Sequence, residues 1–356
     1  MKQGWEYKKF ETCINKTPKP KQVKTEDYNS GTKYPIVSQE DKLISGYYDD
    51  ESYVFHIDSP VVIFGDHTRV LKYVDFDFVV GADGVKIISP KQDLNAKFLL
   101  YYLQWYKIPN LGYSRHYKLL KELNIPLPPK STQLAIVSEL DKINELICLK
   151  KEQLKDFDNL AQSLLYEMFG DPVENEKGWE VKKLVEVSSL INGRAYKQNE
   201  LLNEGKYKVL RVGNFFTNSN YYYSNLELDD EKYCYKGDLL FAWSASFGAF
   251  IWDEGKTIFH YRIWRILFDE KNLNIYYYKY LLNTMTNFFM NDVHGIGMVH
   301  LTKAGMEQYN LPLPPLPLQH LFAHRIEQIE HQKSEVQKAI TDLETLLASR
   351  MQYWFE

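Results

Sequence analysis

The chain has 356 residues, two to three times the length of a typical domain of about 100–150 residues, so two domains are expected. Apolar residues make up 44% and charged residues 25%, which excludes intrinsic disorder and collagen-like repeats. The 43 basic and 47 acidic side chains give a formal net charge of −4. The whole chain is therefore not a basic nucleic-acid binder, and any such role depends on local patches or on a partner.

Cysteine usage and hydropathy favour a cytoplasmic protein. Cys13, Cys148 and Cys234 are far apart and form no CxxC pair, which excludes a zinc ribbon and argues against a disulfide framework. Residues 1–10 are polar and charged, unlike a signal peptide. No apolar run approaches the roughly 18 residues that a membrane span needs.

The first predicted domain covers residues 1–129 and has mixed α/β character. Short β-branched or aromatic runs bounded by Gly, Asp and Pro predict strands at residues 60–64, 78–80 and 85–88. One helix is predicted over residues 98–106. The domain ends at Leu-Pro-Pro, because a residue that precedes proline is disfavoured in a helix.

A long helix and a linker are predicted over residues 130–177, with Ser131 or Thr132 as the N-cap. Apolar residues recur with heptad spacing, which is typical of a coiled-coil seam with a polar exception at Lys150. The seam positions of this helix are Leu140, Ile143, Ile147, Leu154, Phe157 and Leu164.

The second predicted domain covers residues 178–315, with a strand at residues 238–242 and a helix over residues 275–290. A second long helix follows over residues 316–356, with a polar exception in its seam at Lys333. Its seam positions are Ile326, Ile329, Val336, Ile340, Leu343 and Leu347.

The chain is an internal duplication. Gly4-Trp5-Glu6 returns as Gly178-Trp179-Glu180, and Ile125-Pro-Leu-Pro-Pro returns as Leu311-Pro-Leu-Pro-Pro. The expected fold class is α+β: two similar mixed α/β domains separated by two long helices that form an antiparallel coiled coil with pseudo-two-fold internal symmetry. The alternatives are helices that pack on their own domains or in an oligomer. Two similar domains at a fixed separation are expected to bind a bipartite DNA target, in which two half-sites lie at a spacing set by the protein.

The repeated Gly-Trp-Glu start and the double-proline motif followed by Gln133 and by Gln319 resemble the specificity subunits of type I restriction–modification systems. Residues 64–69 and 80–84 resemble one subgroup of that family's target-recognition domains. The resemblance extends over essentially the whole chain. The family usually has Glu-Gln where this chain has Thr132-Gln133 and Leu318-Gln319.

The resemblance implies a non-catalytic subunit that reads double-stranded DNA. Its implied partners are DNA methyltransferase subunits, two by symmetry, which carry S-adenosylmethionine, and restriction/translocase subunits. No cofactor is expected on this chain. The alternatives are the specificity subunit of a type IIB-like restriction–methylation enzyme and a coiled-coil adaptor that never touches DNA.

The chain lacks catalytic motifs, in agreement with a recognition role. It has no Walker-type loop, and Gly295-Ile296-Gly297 lacks the third glycine of a dinucleotide loop. His320 and His324 have the i, i+4 spacing of zinc ligands but no accompanying Glu, and no metal is expected.

Candidate DNA contacts are basic, amide and hydroxyl side chains on predicted loops, since arginine and lysine bind phosphates and arginine also reads guanine. A proline-stiffened basic loop and two loops with the first domain's two arginines supply its candidates: Lys16, Lys19, Lys21, Arg69, Arg115, His116 and Lys118. Comparable loops of the second domain supply Arg194, Lys197, Arg211, Asn214, Ser244 and Ser246. Arg262 and Arg265 alternate with apolar residues and are expected to face a sheet surface instead.

The negative charge is concentrated outside the predicted domains. Residues 1–129 carry 18 basic and 16 acidic groups, and residues 178–315 carry 15 of each. Residues 130–177 carry 6 basic and 10 acidic groups, and residues 316–356 carry 4 and 6. We therefore expect DNA binding by the chain alone to be weak and salt-sensitive, with phosphate neutralisation shared by its partners.

Overall fold

A computed structural model describes residues 4–112, 114–217, 219–244, 246–292 and 301–356. The chain forms two compact units, the first made of Met1–Lys151 with Lys338–Glu356 and the second of Glu152–Gln337. Each unit combines one predicted recognition domain with parts of both long helices. The division into four segments at residues 129, 177 and 315 stays a prediction. None of the described helices is long and apolar enough to cross a membrane.

The first unit contains two sheets and a two-stranded ribbon. Its strands are Glu6–Lys9 (β1), Tyr34–Val37 (β2), Gly46–Tyr48 (β3), Val54–Phe55 (β4), Val61–Gly65 (β5), Leu71–Val74 (β6), Phe78–Val80 (β7), Val85–Ile88 (β8) and Asn124–Leu127 (β9). Its short helices are Phe10–Cys13 (α1), Ala96–Tyr106 (α2) and Tyr117–Lys121 (α3), and the long helix Lys130–Phe169 (α4) begins in it. The strand orders are β3-β2-β7-β4, β6-β5-β8 and β1-β9.

The second unit repeats this arrangement. Its strands are Glu180–Lys183 (β10), Ser188–Asn192 (β11), Tyr207–Leu210 (β12), Tyr222–Ser224 (β13), Tyr233–Cys234 (β14), Leu239–Ser244 (β15), Ser246–Ile251 (β16), Thr257–Phe259 (β17), Ile263–Phe268 (β18) and Asn310–Leu313 (β19). Its helices are Leu184–Val187 (α5), Val212–Phe216 (α6), Ile275–Thr284 (α7), Thr286–Asp292 (α8), Lys303–Met306 (α9) and the start of the long helix Leu316–Phe355 (α10). The strand orders are β13-β12-β17-β14, β11-β18-β15-β16 and β10-β19.

The duplicated sequence motifs become duplicated strand pairs. In the β1–β9 ribbon Tyr7 lies opposite Pro126, and in the β10–β19 ribbon Val181 lies opposite Pro312. Proline is tolerated at these positions because it occupies a strand with a free edge. Each four-stranded β-sheet that contains β2 or β12 has one parallel pair, β2–β7 or β12–β17, in the same register.

The long helices pack antiparallel within each unit. In the first unit, Ile136 and Leu140 of α4 share a core with Leu347 and Phe355 of α10. In the second unit, Leu164 and Phe169 share a core with Phe322 and Ile326. Ion pairs flank the packed faces, with Glu139 bound to Arg350 in the first unit and Asp158 to Lys333 at 2.7 Å in the second.

The twelve predicted seam positions are buried or half-buried. Eight are buried: Leu140, Ile143, Ile147, Leu164, Ile326, Ile329, Val336 and Ile340. The other four are half-buried: Leu154, Phe157, Leu343 and Leu347. This is the burial expected of an a/d seam, and the predicted antiparallel helix packing is confirmed within each unit.

A buried glutamine fastens α4 to the globular part of the first unit. The side-chain oxygen of Gln133 accepts a hydrogen bond from the backbone N–H of Asn95 at 2.8 Å. Its amide nitrogen donates to the carbonyls of Asp93 and Pro128, both at 2.9 Å. Asn95 in turn caps α2 by accepting a hydrogen bond from the backbone N–H of Phe98.

Gln319 makes the same set of bonds at the start of α10. It accepts from the backbone N–H of Asn274 at 2.8 Å and donates to the carbonyls of Asn272, at 2.9 Å, and Pro314, at 2.8 Å. Asn274 caps α7 as Asn95 caps α2. We refer to the Gln133 and Gln319 hydrogen-bond sets as the amide clamps. They explain why a glutamine follows each double-proline motif.

Two expectations about helix boundaries were wrong. The first long helix begins at Lys130, so Ser131 and Thr132 lie inside its first turn instead of capping it. The carbonyl of Pro129 accepts the N–H groups of Thr132 and Gln133 and starts the helix without a side-chain cap. The helix expected over residues 275–290 is divided at Met285 into α7 and α8.

Candidate nucleic-acid interface

An open groove of about 870 Å³ lies in the second unit. It lies between the segment that follows β12, the β15–β16 hairpin and the connection from β17 to β18. The residues that line it are Asn203, Arg211, Val212, Gly213, Asn214, Phe216, Thr217, Ser219, Asn220, Tyr221, Tyr222, Ser244, Ser246, His260 and Arg262. None of these described lining residues is acidic, so the groove is positive in a chain of net charge −4.

Arg211 and Arg262 give the groove its charge. The Arg211 guanidinium lies 5.2 Å from the centre of the Tyr222 ring, a cation–π distance. The Nε of Arg262 donates a hydrogen bond to the Tyr261 hydroxyl at 3.2 Å. Within the described parts of the chain, neither arginine forms an ion pair, so both remain available to an anionic ligand.

His260 lies beside both arginines and is neutral at physiological pH. Burial, together with the positive charges of Arg211 and Arg262, lowers the pKa of His260 from 6.5 to about 4. Its Nδ1 accepts the backbone N–H of Arg262 at 3.4 Å, which leaves the proton of the neutral ring on Nε2. The groove therefore offers a neutral donor in addition to its two cations.

In the first unit, a buried polar cluster joins the segment of residues 64–69 to the segment that precedes α3. Asp66 is 2% exposed and accepts the backbone N–H of Tyr117 at 2.7 Å. His116 is fully buried, with Nδ1 2.9 Å from the Asp66 carbonyl and Nε2 accepting the Leu111 N–H at 3.0 Å. These bonds hold the segment before α3 against the end of β5.

Several predicted DNA contacts of the first unit have structural partners. His116 is buried and both its ring nitrogens are bonded, so it is not available to DNA and that prediction is withdrawn. Arg115 pairs with Asp83 at 3.1 Å, and Arg69 donates to the Ile108 carbonyl at 3.2 Å. Arg69 also has a backbone φ of +64°, an uncommon conformation for a residue other than glycine.

The predicted lysines of the first unit are exposed. Lys16, Lys19 and Lys118 are exposed, and Lys21 is exposed while donating to the Ser52 hydroxyl at 3.0 Å. Their assignment as phosphate contacts stays a prediction.

The predicted contacts of the second unit divide into two groups. Arg211, Asn214, Ser244 and Ser246 line the groove together. Ser244 is fully buried, however, and is therefore withdrawn as a direct DNA contact. Asn214 lies at the groove surface, but its side chain accepts the Arg211 N–H and donates to the Ser219 carbonyl, which shapes the loop.

Arg194 and Lys197 lie outside the groove lining. Both terminal nitrogens of Arg194 bind Glu200, at 2.7 and 3.1 Å, so this arginine forms a structural salt bridge. Lys197 is exposed and stays a predicted phosphate contact. His260 was not among the predicted contacts, and Arg262 was expected to face a sheet surface, but both line the groove. Their position in the short connection between the apolar strands β17 and β18 is the sequence feature that could have indicated a loop.

His320 and His324, which have the spacing of zinc ligands, both have amide partners. His320 and His324 contact the amides of Asn274 and Gln328, at 3.2 and 3.4 Å. Within the described ranges, no group of three or more His, Cys, Asp or Glu residues is placed to hold a metal ion. The Gly295–Gly297 segment, Tyr113 and Ala245 lie outside the described residues.

Comparison with known proteins identifies the family. The sequence matches the type I restriction modification DNA specificity domain twice, over residues 2–156 and 176–345. The chain belongs to this family of specificity subunits. The two matches repeat the internal duplication and together cover most of the chain.

Specificity-subunit relatives are distant in sequence. A type I restriction enzyme specificity subunit of Haemophilus influenzae is 24% identical over 290 residues, covering 76% of this chain and 74% of the relative. The MjaVIII specificity subunit of Methanocaldococcus jannaschii is 22% identical over 268 residues, covering 65% of this chain and 62% of that protein.

A solved specificity subunit shares the fold. The type I S subunit from M. genitalium aligns with a TM-score of 0.58 at 14% identity, covering 99% of this chain and 96% of that structure. At this identity the likeness establishes the fold alone.

We expect the stability of this specificity subunit to fall as the pH decreases from 6.5 towards 4. The unfolded chain protonates His260 near its ordinary pKa of 6.5, whereas the folded chain resists protonation down to about 4. The stability that comes from the neutral His260 is thus fully present above pH 6.5 and is lost progressively as the pH falls towards 4. In urea unfolding across this range, His260→Gln should remove a pH dependence of the free energy of unfolding that corresponds to the uptake of up to one proton. An identical pH profile for both proteins would contradict the assignment.

Proposed function

We propose that this chain is the non-catalytic DNA-recognition subunit of a type I restriction–modification complex. Each unit reads one half of a bipartite, interrupted target, and the long helices fix the unread gap. The observation that carries the proposal is the groove of the second unit, which presents Arg211 and Arg262 with no described acidic lining residue. The matching of each repeat to the family's DNA specificity domain supports one recognition function per unit.

The proposed partners supply the chemistry. DNA methyltransferase subunits, two by the symmetry of the repeat, bring S-adenosylmethionine, and restriction/translocase subunits complete the complex. This chain reads the two half-sites and sets the length of the gap between them. Its recognition domains carry little net charge, so the partners are expected to supply much of the phosphate neutralisation.

Exchanging residues 1–129 for the matching segment of another specificity subunit should change one half of the methylated sequence and leave the other half intact. The physical reason is that each unit has its own sheets and core, so one recognition surface can be replaced without rebuilding the other. The measurement is methylome sequencing of cells that carry the exchanged chain with its methyltransferase. Changes in both half-sites would contradict modular reading.

A further inference from the structure

The surroundings of Arg262 hold both its backbone and its side chain. Its carbonyl accepts the backbone N–H of Trp243 at 3.2 Å, and its own N–H donates to His260. The guanidinium carbon lies 5.7 Å from the Tyr261 ring centre, and Nε donates to the Tyr261 hydroxyl. Because Nε is bonded, the two terminal nitrogens remain as a planar pair of donors.

The first unit has the opposite charge at the matching position. Arg262 lies three residues beyond the end of β17, and Asp83 lies three residues beyond the end of β7. The carboxylate of Asp83 binds Arg115 at 3.1 Å. Likewise Arg211 follows β12 in the second unit, whereas the buried Ser38 follows β2 in the first. The repeated framework therefore presents different recognition chemistry in its two copies.

We propose that Arg262 reads a guanine in the half-site of the second unit. Guanine presents two acceptors, N7 and O6, in the major groove, and a paired arginine donor matches them better than any other base edge. Arg211 is the accompanying cation, which attracts the DNA backbone without reading sequence. This inference rests on the proposed function and specifies the ligand of one of its two recognition surfaces.

The first experiment is methylome sequencing with the complete complex, after a swap of residues 178–315 has identified the half-site that this unit reads. Arg262→Gln should relax discrimination at one G·C pair of that half-site by about tenfold or more, with the other half unchanged. Arg262→Lys, which keeps the charge but loses the paired donors, should relax the same position. Arg325→Gln removes an exposed arginine of α10 outside the groove and should leave the motif unchanged.

Two results would overturn the inference while leaving the proposed function in place. One is a wild-type half-site without a G·C pair, and the other is an unaltered motif in the Arg262→Gln protein. The absence of any bipartite motif, or a swap that changes both halves, would instead defeat the proposed function itself.

A binding measurement covers the case in which Arg262→Gln abolishes methylation. The complex is titrated with duplexes in which each guanine of the half-site is replaced in turn by 7-deazaguanine, which lacks the N7 acceptor. The wild-type complex should lose about tenfold in affinity at one guanine, and the Arg262→Gln complex should show no further loss there. Equal losses for both complexes at every guanine would refute the assignment.

Discussion

Replacing Gln319 by leucine is expected to destabilise the second unit by roughly 3–5 kcal/mol, since it removes three hydrogen bonds from a site where the side chain is fully buried. Leucine has a similar volume, so the loss comes from polar groups left without partners: the carbonyls of Asn272 and Pro314 and the N–H of Asn274. Urea unfolding measures the loss. Hydrogen exchange should locate it at the N-terminus of α7 and at the end of β19.

The duplication provides a matched comparison. Gln133→Leu should produce the same loss in the first unit, with increased exchange at α2 and β9 and protection of α7 retained. Gln328→Leu alters an exposed glutamine on the same helix as Gln319 and should change stability by less than about 0.5 kcal/mol. If Gln319→Leu unfolds at the same urea concentration as Gln328→Leu, the amide clamp does not hold the helix.

Much of the fold could be predicted because local sequence rules and tertiary packing agree. The heptad spacing of Leu140, Ile143 and Ile147 indicates a buried helix face, and the structure buries all three. The double-proline motifs mark helix starts because proline suits the first turn and interrupts what precedes it. Repetition of both signals identified the two-copy architecture.

The groove of the second unit was less predictable, because it is assembled from residues distant in sequence. Arg211 and Arg262 line one groove although they are about fifty positions apart. Arg115 stays a predicted DNA contact, although the structure places Asp83 3.1 Å from it, and composition cannot show which arginine has an acidic partner. His116 resembled a polar loop residue, but its bond to the Asp66 carbonyl lies inside the unit. The pairing of charges determines which basic residues remain free, and that pairing depends on tertiary structure.

Phe355→Ala is expected to destabilise the first unit by about 3–5 kcal/mol, the usual loss for removing a buried aromatic ring. Phe355 is 7% exposed, and its ring centre lies 5.5 Å from Phe98, 5.7 Å from Tyr102 and 5.9 Å from Trp105. All three neighbours belong to α2, so the ring anchors the last turn of α10 to the globular part of that unit.

Denaturant unfolding and hydrogen exchange of the Phe355→Ala chain should show reduced stability and faster exchange in α2 and in the final turn of α10. Tyr353→Ala is the matched control, because the Tyr353 side chain lies two residues away and is 58% exposed, so its loss should be below about 1 kcal/mol. An α10 terminus that stays protected in Phe355→Ala would show that the helix is held by the Glu139–Arg350 ion pair instead. The Glu139–Arg350 pair is half-buried and ion pairs of this kind gain little net free energy, so the larger loss is expected from the aromatic ring.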